Sequence, residues 1–269
     1  MPPSIVLVKL GGSLITDKAR PGIARLATIR RLAREIASLP RGNGAPRLVL
    51  GHGSGSFGHV AASQGGVGGS RAKKPARADG IARTQHRAAE LHAIVIDALD
   101  AAGAKPFSLA PSSFMTCSNG RVAKVFSDPL FHALDAGLVP VVYGDVVLDR
   151  ECSAVVVSTE EVFVALARAA LLRGVPVARA VWLGETDGLV AKGGDTVNRL
   201  TAAGARSRSL RVSGASGVDV TGGMALRLRS TAALARRSVP SLILDGRRAG
   251  SLALAVAGRM NGGTRVVAR

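Results

Sequence analysis

The stretch Gly51-His52-Gly53-Ser54-Gly55-Ser56-Phe57-Gly58-His59 follows the apolar run Leu48-Val49-Leu50. Its four glycines let the backbone turn tightly and bring N–H groups close to a bound molecule. Exposed amides of this kind, leading into a helix N-terminus, attract anions and phosphate above all. His59 closes the stretch, where an imidazole can donate a charge-assisted hydrogen bond to a phosphate oxygen. A second glycine turn, Gly11-Gly12-Ser13, follows the apolar run from Ile5 to Leu10 and is flanked by Lys9 and Lys18. Lys9 ends that run, so its ammonium could reach a phosphoryl group whose oxygens the glycine amides hold. Each turn alone is common after a strand. Together they suit two phosphate groups that face each other, with a phosphoryl group passing between them.

Three further features bear on this reading. Asp145, in Gly144-Asp145, stands at the carboxyl end of the predicted strand Val139 to Tyr143, where open α/β sheets carry their sites. It is either a site carboxylate or an ordinary turn residue. Ser216 to Met224 is a third glycine-bearing loop, and it leads into a predicted helix from Ala225 to Arg236. Arg227 and Arg229 fall in the first turns of that helix, where cations are disfavoured. A nucleotide phosphate nearby would offset that placement. Cys117 and Cys152 fit no metal spacing and read as reduced thiols.

The elements that must hold these residues alternate. Ile5 to Leu10, Arg47 to Leu50, Lys105 to Leu109, Val139 to Tyr143, Ala178 to Leu183 and Ser241 to Leu244 read as strands. Thr28 to Leu39 and Asp79 to Ala102 read as amphipathic helices between them, the second facing the core with Leu91, Ile94, Val95, Ala98, Leu99 and Ala102. Val146 to Leu148 and Ala154 to Val157 read as a hairpin. Thr159 to Leu172 reads as a helix capped by Ser158 or Thr159, with Glu160 and Glu161 in its first turn. Gln64 to Ala78 and Gly193 to Gly217 are rich in glycine or arginine and read as surface loops. This βα alternation predicts an α/β fold, an open αβα sandwich around a largely parallel sheet. Residues 1–269 are expected to form a single domain, with the acceptor towards the N-terminal half and the nucleotide towards the C-terminal half.

The 269 residues suffice for one substantial core, and 47% are hydrophobic. No apolar run approaches the ~20 residues needed to span a bilayer, so a cytoplasmic protein without membrane contact is expected. The formal charge of +18 could signal nucleic-acid binding, with Arg71, Lys73, Lys74, Arg77 and Arg206, Arg208, Arg211 as patches. Against this, aromatics make up only 3%, which leaves few stacking platforms, and no recognition motif appears. The excess reads instead as a solvated basic surface that draws in anionic substrates.

Lys9-Leu10-Gly11-Gly12-Ser13-Leu14-Ile15-Thr16-Asp17-Lys18, the His52 to His59 loop and Asp219-Val220-Thr221-Gly222-Gly223-Met224 together resemble the amino acid kinase superfamily. The resemblance runs nearly end to end and is strongest to its isopentenyl phosphate kinase branch, marked by the histidine that ends the glycine loop. It implies ATP as phosphoryl donor with Mg²⁺, a small phosphorylated acceptor, and a homodimer. Carried over, Lys9, Gly11, Gly12, Ser13, Gly55, Glu185, Gly223 and Arg227 would bind ATP, and Lys18 would stabilise the transition state. Ser54, His59 and Thr159 would serve the acceptor, to which the readings of the glycine loop and the strand end add Gly53 and Asp145. The chain departs from the branch in having Ser54 in place of a glycine. Ser158-Thr159-Glu160-Glu161 replaces a Ser-Gly-Asp-Asp segment, Glu185 an aspartate and Arg227 a lysine. Two alternatives stay open: a kinase of another small phosphate or phosphonate such as fosfomycin, and a catalytically weak nucleotide- or RNA-binding protein.

Overall fold

The computed structural model describes residues 3–42, 44–69, 75–191, 195–206 and 223–269. The N-terminal part runs β1 (Ile5–Leu10), α1 (Gly12–Ile15), α2 (Leu26–Ala37), β2 (Arg47–His52), α3 (Gly55–Gly65) and α4 (Ala78–Ala101). The middle runs β3 (Pro106–Ser108), α5 (Pro111–Phe114), β4 (Met115–Ser118), β5 (Arg121–Val125), α6 (Asp128–Asp135), β6 (Val139–Tyr143), β7 (Asp145–Asp149) and β8 (Ser153–Val157). Then come α7 (Thr159–Leu172), β9 (Val177–Gly184), β10 (Arg199–Thr201), α8 (Gly223–Ala235), β11 (Ser241–Asp245), α9 (Ser251–Val256) and β12 (Thr264–Val267).

The larger sheet has the order β10-β12-β11-β9-β1-β2-β6-β3. Its centre is parallel, β1 lying between β9 and β2, and only β12 runs antiparallel to its neighbour β11. A near-continuous apolar run such as Ile5-Val6-Leu7-Val8 marks a strand covered on both faces, and β1 is buried along its whole length. The two-residue period then sorts its side chains. Ile5 and Leu7 pack with α6, α7 and α8, whereas Val6, Val8 and Leu10 pack with α2, α4 and α9. The expected αβα sandwich is therefore the fold.

The strands and helices predicted from periodicity are present, with ends that agree or are shifted by at most two residues, and the β7–β8 hairpin pairs in register. Sequence reasoning missed α1, α5, β4, β5, α6, β10, α9 and β12. Most are only three to six residues long, and β4 and β5 carry polar residues between apolar ones. The loop expected over 64–78 is partly regular: α3 continues to Gly65, and Gly69 bridges Val156 of β8, the edge strand of a second, four-stranded sheet of order β5-β4-β7-β8. The lysine–arginine cluster at Arg71, Lys73 and Lys74 lies outside the described residues, as do Arg208, Arg211 and the loop from Ser216 to Gly222. No helix among the described residues is long and apolar enough to cross a membrane.

Candidate active site

The site assembles at the carboxyl ends of β1, β2 and β9, and strand register decides which side chain faces which helix. Lys9 shares the face of Ile5 and Leu7, so it meets the start of α7. There its ammonium pairs with the carboxylate of Glu160, both side chains being almost fully buried. Arg227, one turn into α8, approaches the same carboxylate oxygen, its Nε 3.6 Å from Glu160 Oε1. Burial alone would raise the Glu160 carboxyl, but the adjoining Lys9 ammonium and then Arg227 outweigh it and hold the group below the usual carboxylate range. Gly184 ends β9 beside this group; a Cβ there would sit 3.1 Å from Arg227 Nη1. One carboxylate thus serves two cations.

The two glycine turns touch. A Cβ on Gly12 would lie 2.7 Å from the Gly55 nitrogen, and one on Gly53 would lie 2.8 Å from the Gly12 nitrogen. Only glycine permits so close an approach of backbone to backbone. Gly55 also has a left-handed φ of 50°, which a side chain would strain. Thr16 ties the pair together: its hydroxyl donates to the Gly12 carbonyl at 2.8 Å and accepts from the Ser56 amide at 3.1 Å. Gly11 is fixed by its amide on the Leu183 carbonyl of β9. Ser13 follows in α1, half-buried. Ser54, the residue that replaces a glycine, is buried with its side chain laid against Gly58, so it fills helix space rather than the turn. His59 lies one turn into α3, half-buried.

A second charged group stands at the rim. Lys18 Nζ is 3.5 Å from Glu185 Oε2, while Arg25 Nη1 donates to Glu185 Oε1 at 2.6 Å. Lys18 and Glu185, separated by most of the chain, are brought together because β1 and β9 are neighbours. Arg25 was not foreseen; nothing in its local sequence distinguishes it from the other surface arginines.

The remaining predicted residues divide. Thr159 is buried and donates to the His52 carbonyl at 2.6 Å, which fastens α7 to the end of β2. A Cβ on Gly51 would come within 2.5 Å of Thr159 Cγ2 and 2.8 Å of the Phe163 ring, so that glycine exists to let α7 pack. Asp145 accepts from the Ser112 amide at 3.0 Å and from its neighbour Val146 at 2.8 Å. Burial pushes its carboxyl up, and these hydrogen bonds pull it part of the way back. Both carboxylate oxygens are thus engaged in fixing turns. Glu161 completes a capping box with Ser158, which leaves Glu160 alone of that acidic pair to face the cations. Gly223 opens α8, and the loop leading to it lies outside the described residues.

Two phosphate-type turns in backbone contact, with lysines on both sides at the carboxyl end of a parallel sheet, define a small-molecule kinase. The chain belongs to the amino acid kinase family, whose profile matches residues 4–245. It is 33% identical to the isopentenyl phosphate kinase of Methanothermobacter thermautotrophicus across 98% of this chain and all of that one. Its identity to the isopentenyl phosphate kinase of Haloferax volcanii is also 33%, over 86% of this chain and 88% of the relative. A solved structure described as an isopentenyl phosphate kinase superposes with a TM-score of 0.76 at 28% identity, covering 97% of this chain and 99% of that one.

Proposed function

We propose that this chain is an isopentenyl phosphate kinase, which transfers the γ-phosphoryl group of ATP to isopentenyl phosphate and releases isopentenyl diphosphate and ADP, a step of isoprenoid biosynthesis. The observation that carries this reading is the end-to-end match to relatives of that activity, and the contact between Gly12 and the Gly53–Gly55 turn gives it a geometry.

The acceptor phosphate is already anionic, so no strong base is needed. The barrier is the repulsion between two polyanions, and catalysis is mostly positioning and charge neutralisation. An acceptor oxygen attacks the γ-phosphorus as the bond to the β-phosphate oxygen breaks, and ADP carries away the leaving charge. Lys9, held by Glu160 at the end of β1, and Arg227 face the donor phosphates together with the Gly11, Gly12 and Ser13 turn. Lys18 reaches in from the rim to the transferring group, beside Gly55. His59, Gly53 and Ser54 hold the acceptor phosphate. Thr159 acts on the acceptor through the end of β2, and Asp145 by shaping the turns next to it. Glu185 and Gly223 border the nucleotide.

The acidic groups do not fit a protein-held metal. Among the described residues no three His, Cys, Asp or Glu side chains converge on one point, and Glu160 and Glu185 are each engaged by two cations. The Mg²⁺ that accompanies ATP would ride on the nucleotide's own oxygens, as this ion commonly does. A homodimer working in the cytoplasm, with residues 1–269 acting as one unit, completes the proposal. ADP release measured with isopentenyl phosphate, with fosfomycin and with no acceptor tests it. Release that depends on isopentenyl phosphate is expected. Release with fosfomycin alone would assign the site to a phosphonate, and none with either acceptor would leave a nucleotide-binding protein.

A further inference from the structure

His52 and His92 form a buried hydrogen-bond chain that the mechanism above does not use. The period of β2 turns His52 away from α7 and towards α4, where Thr84, Ala88, Leu91, His92, Val95 and Leu99 form the buried stripe. His52 Nδ1 lies 3.2 Å from the Gly53 carbonyl oxygen. Its Nε2 lies 2.9 Å from His92 Nδ1, and His92 Nε2 lies 2.7 Å from Ser108 Oγ. Tyr143 stacks on both rings, at 4.3 Å from His92 and 5.7 Å from His52 between centroids.

The direction of the chain follows from its end. A carbonyl oxygen only accepts, so His52 Nδ1 carries the proton. Burial pushes both histidines down, His52 to about 4 and His92 to about 3, so each ring is neutral and holds one proton. His52 Nε2 is then an acceptor, which obliges His92 to donate from Nδ1. His92 Nε2 in turn accepts from the hydroxyl of Ser108, whose side chain is exposed. Only one arrangement of protons satisfies all three contacts.

The last acceptor matters because the Gly53 carbonyl shares a planar, trans peptide with the Ser54 N–H, which points the opposite way. Among the described residues the Ser54 amide donates to no protein acceptor. Holding the carbonyl therefore aims that amide. We propose that His92, acting through His52, is a positioning residue for the acceptor turn, the chain Ser108 to His92 to His52 to Gly53 keeping the Ser54 amide directed at the acceptor phosphate. This rests on the kinase reading above and assigns the orientation of one of its donors.

The test combines kinetics with nitrogen-15 NMR of the histidines in the whole protein. His92→Leu should raise KM for isopentenyl phosphate about tenfold, the loss of roughly one aimed hydrogen bond, with KM for ATP and kcat within about twofold. His92→Asn keeps a donor near Nδ1 and should recover most of the loss. Ser108→Ala, at an exposed position, should shift the same KM in the same direction by less, and remains readable should His92→Leu fail to fold. The wild-type spectrum should show His52 protonated at Nδ1 and bare at Nε2. Equal changes in both KM values, no change in either, or a proton on His52 Nε2 would overturn the proposal. If the wild type ignores isopentenyl phosphate, the functional reading fails separately. The tautomer pattern, and the KM split with whatever phosphorylated acceptor yields ADP, then decide this one.

Discussion

The ammonium of Lys9 and the carboxylate of Glu160 stand 151 positions apart in the chain and form an ion pair shielded from solvent. Lys9 belongs to the first strand and Glu160 to the first turn of α7, so the pair forms only once the centre of the sheet is covered. The carboxylate also lies at the positive end of the α7 dipole, which favours its charge.

Removing that carboxylate takes away the anion that Lys9 and Arg227 share. Glu160→Ala should cost about 3–5 kcal/mol in urea denaturation, the usual cost of breaking a buried ion pair by removing one partner. Glu160→Asp, which retains the charge on a shorter stem, should cost less. Equal midpoints for Glu160→Ala and the wild type would mean that the pair contributes nothing net to stability.

Lys18 differs from Lys9 in being about one third exposed and only loosely held by Glu185. A rim cation of this kind is free to follow charge as it moves. Lys18→Ala should lower kcat by about 10²–10³ while changing KM for either substrate far less, as expected for a donor that acts mainly in the transition state. An unchanged kcat removes Lys18 from the mechanism.

How much of this was legible beforehand depends on distance along the chain. The βα alternation, the helix starting at Thr159 and both glycine turns follow from local pattern, because period, caps and glycine are local properties. The contact between the turns needed only the parallel pairing of β1 with β2. The partners of Glu160 did not follow: a glutamate in a helix's first turn looks the same whether it caps, as Glu161 does, or neutralises a buried lysine. Arg25 had no local mark at all. His92 did carry a signal, since it falls among Thr84, Ala88, Leu91, Val95 and Leu99 on the buried stripe. A histidine on such a stripe needs hydrogen-bond partners, and that requirement points towards the end of β2.

Acid should destabilise the fold early. A histidine in the unfolded chain takes up its proton near 6.5, whereas in the folded chain His52 does so at about 4 and His92 at about 3. Between those values the unfolded chain binds more protons, so stability falls as pH drops below about 6.5. Glu160 acts in the same sense at lower pH: its stabilisation is present above its ordinary value of 4.5 and is lost as pH falls through its depressed one. Asp145, pushed up by burial, opposes the trend by taking up its proton first in the folded chain. The urea midpoint should therefore be lower at pH 5.0 than at pH 7.5. A midpoint that holds or rises at pH 5.0 would show that the two histidines are not buried as neutral rings.

The proposed role of His59 distinguishes the two substrates. His59→Ala should impair use of the phosphorylated acceptor and leave ATP binding by equilibrium titration within about twofold, if the turn that carries it holds the acceptor as proposed. Identical steady-state constants for isopentenyl phosphate in wild type and variant would take His59 out of acceptor binding.

What underlies all of these expectations is that two polyanions meet where the glycine turns touch. Acceptor-dependent release of ADP measures that meeting most directly. Adding isopentenyl phosphate to protein, ATP and Mg²⁺ should yield ADP and isopentenyl diphosphate in equal amounts, with little ADP when the acceptor is left out. ADP formation that is the same with and without isopentenyl phosphate would contradict the account.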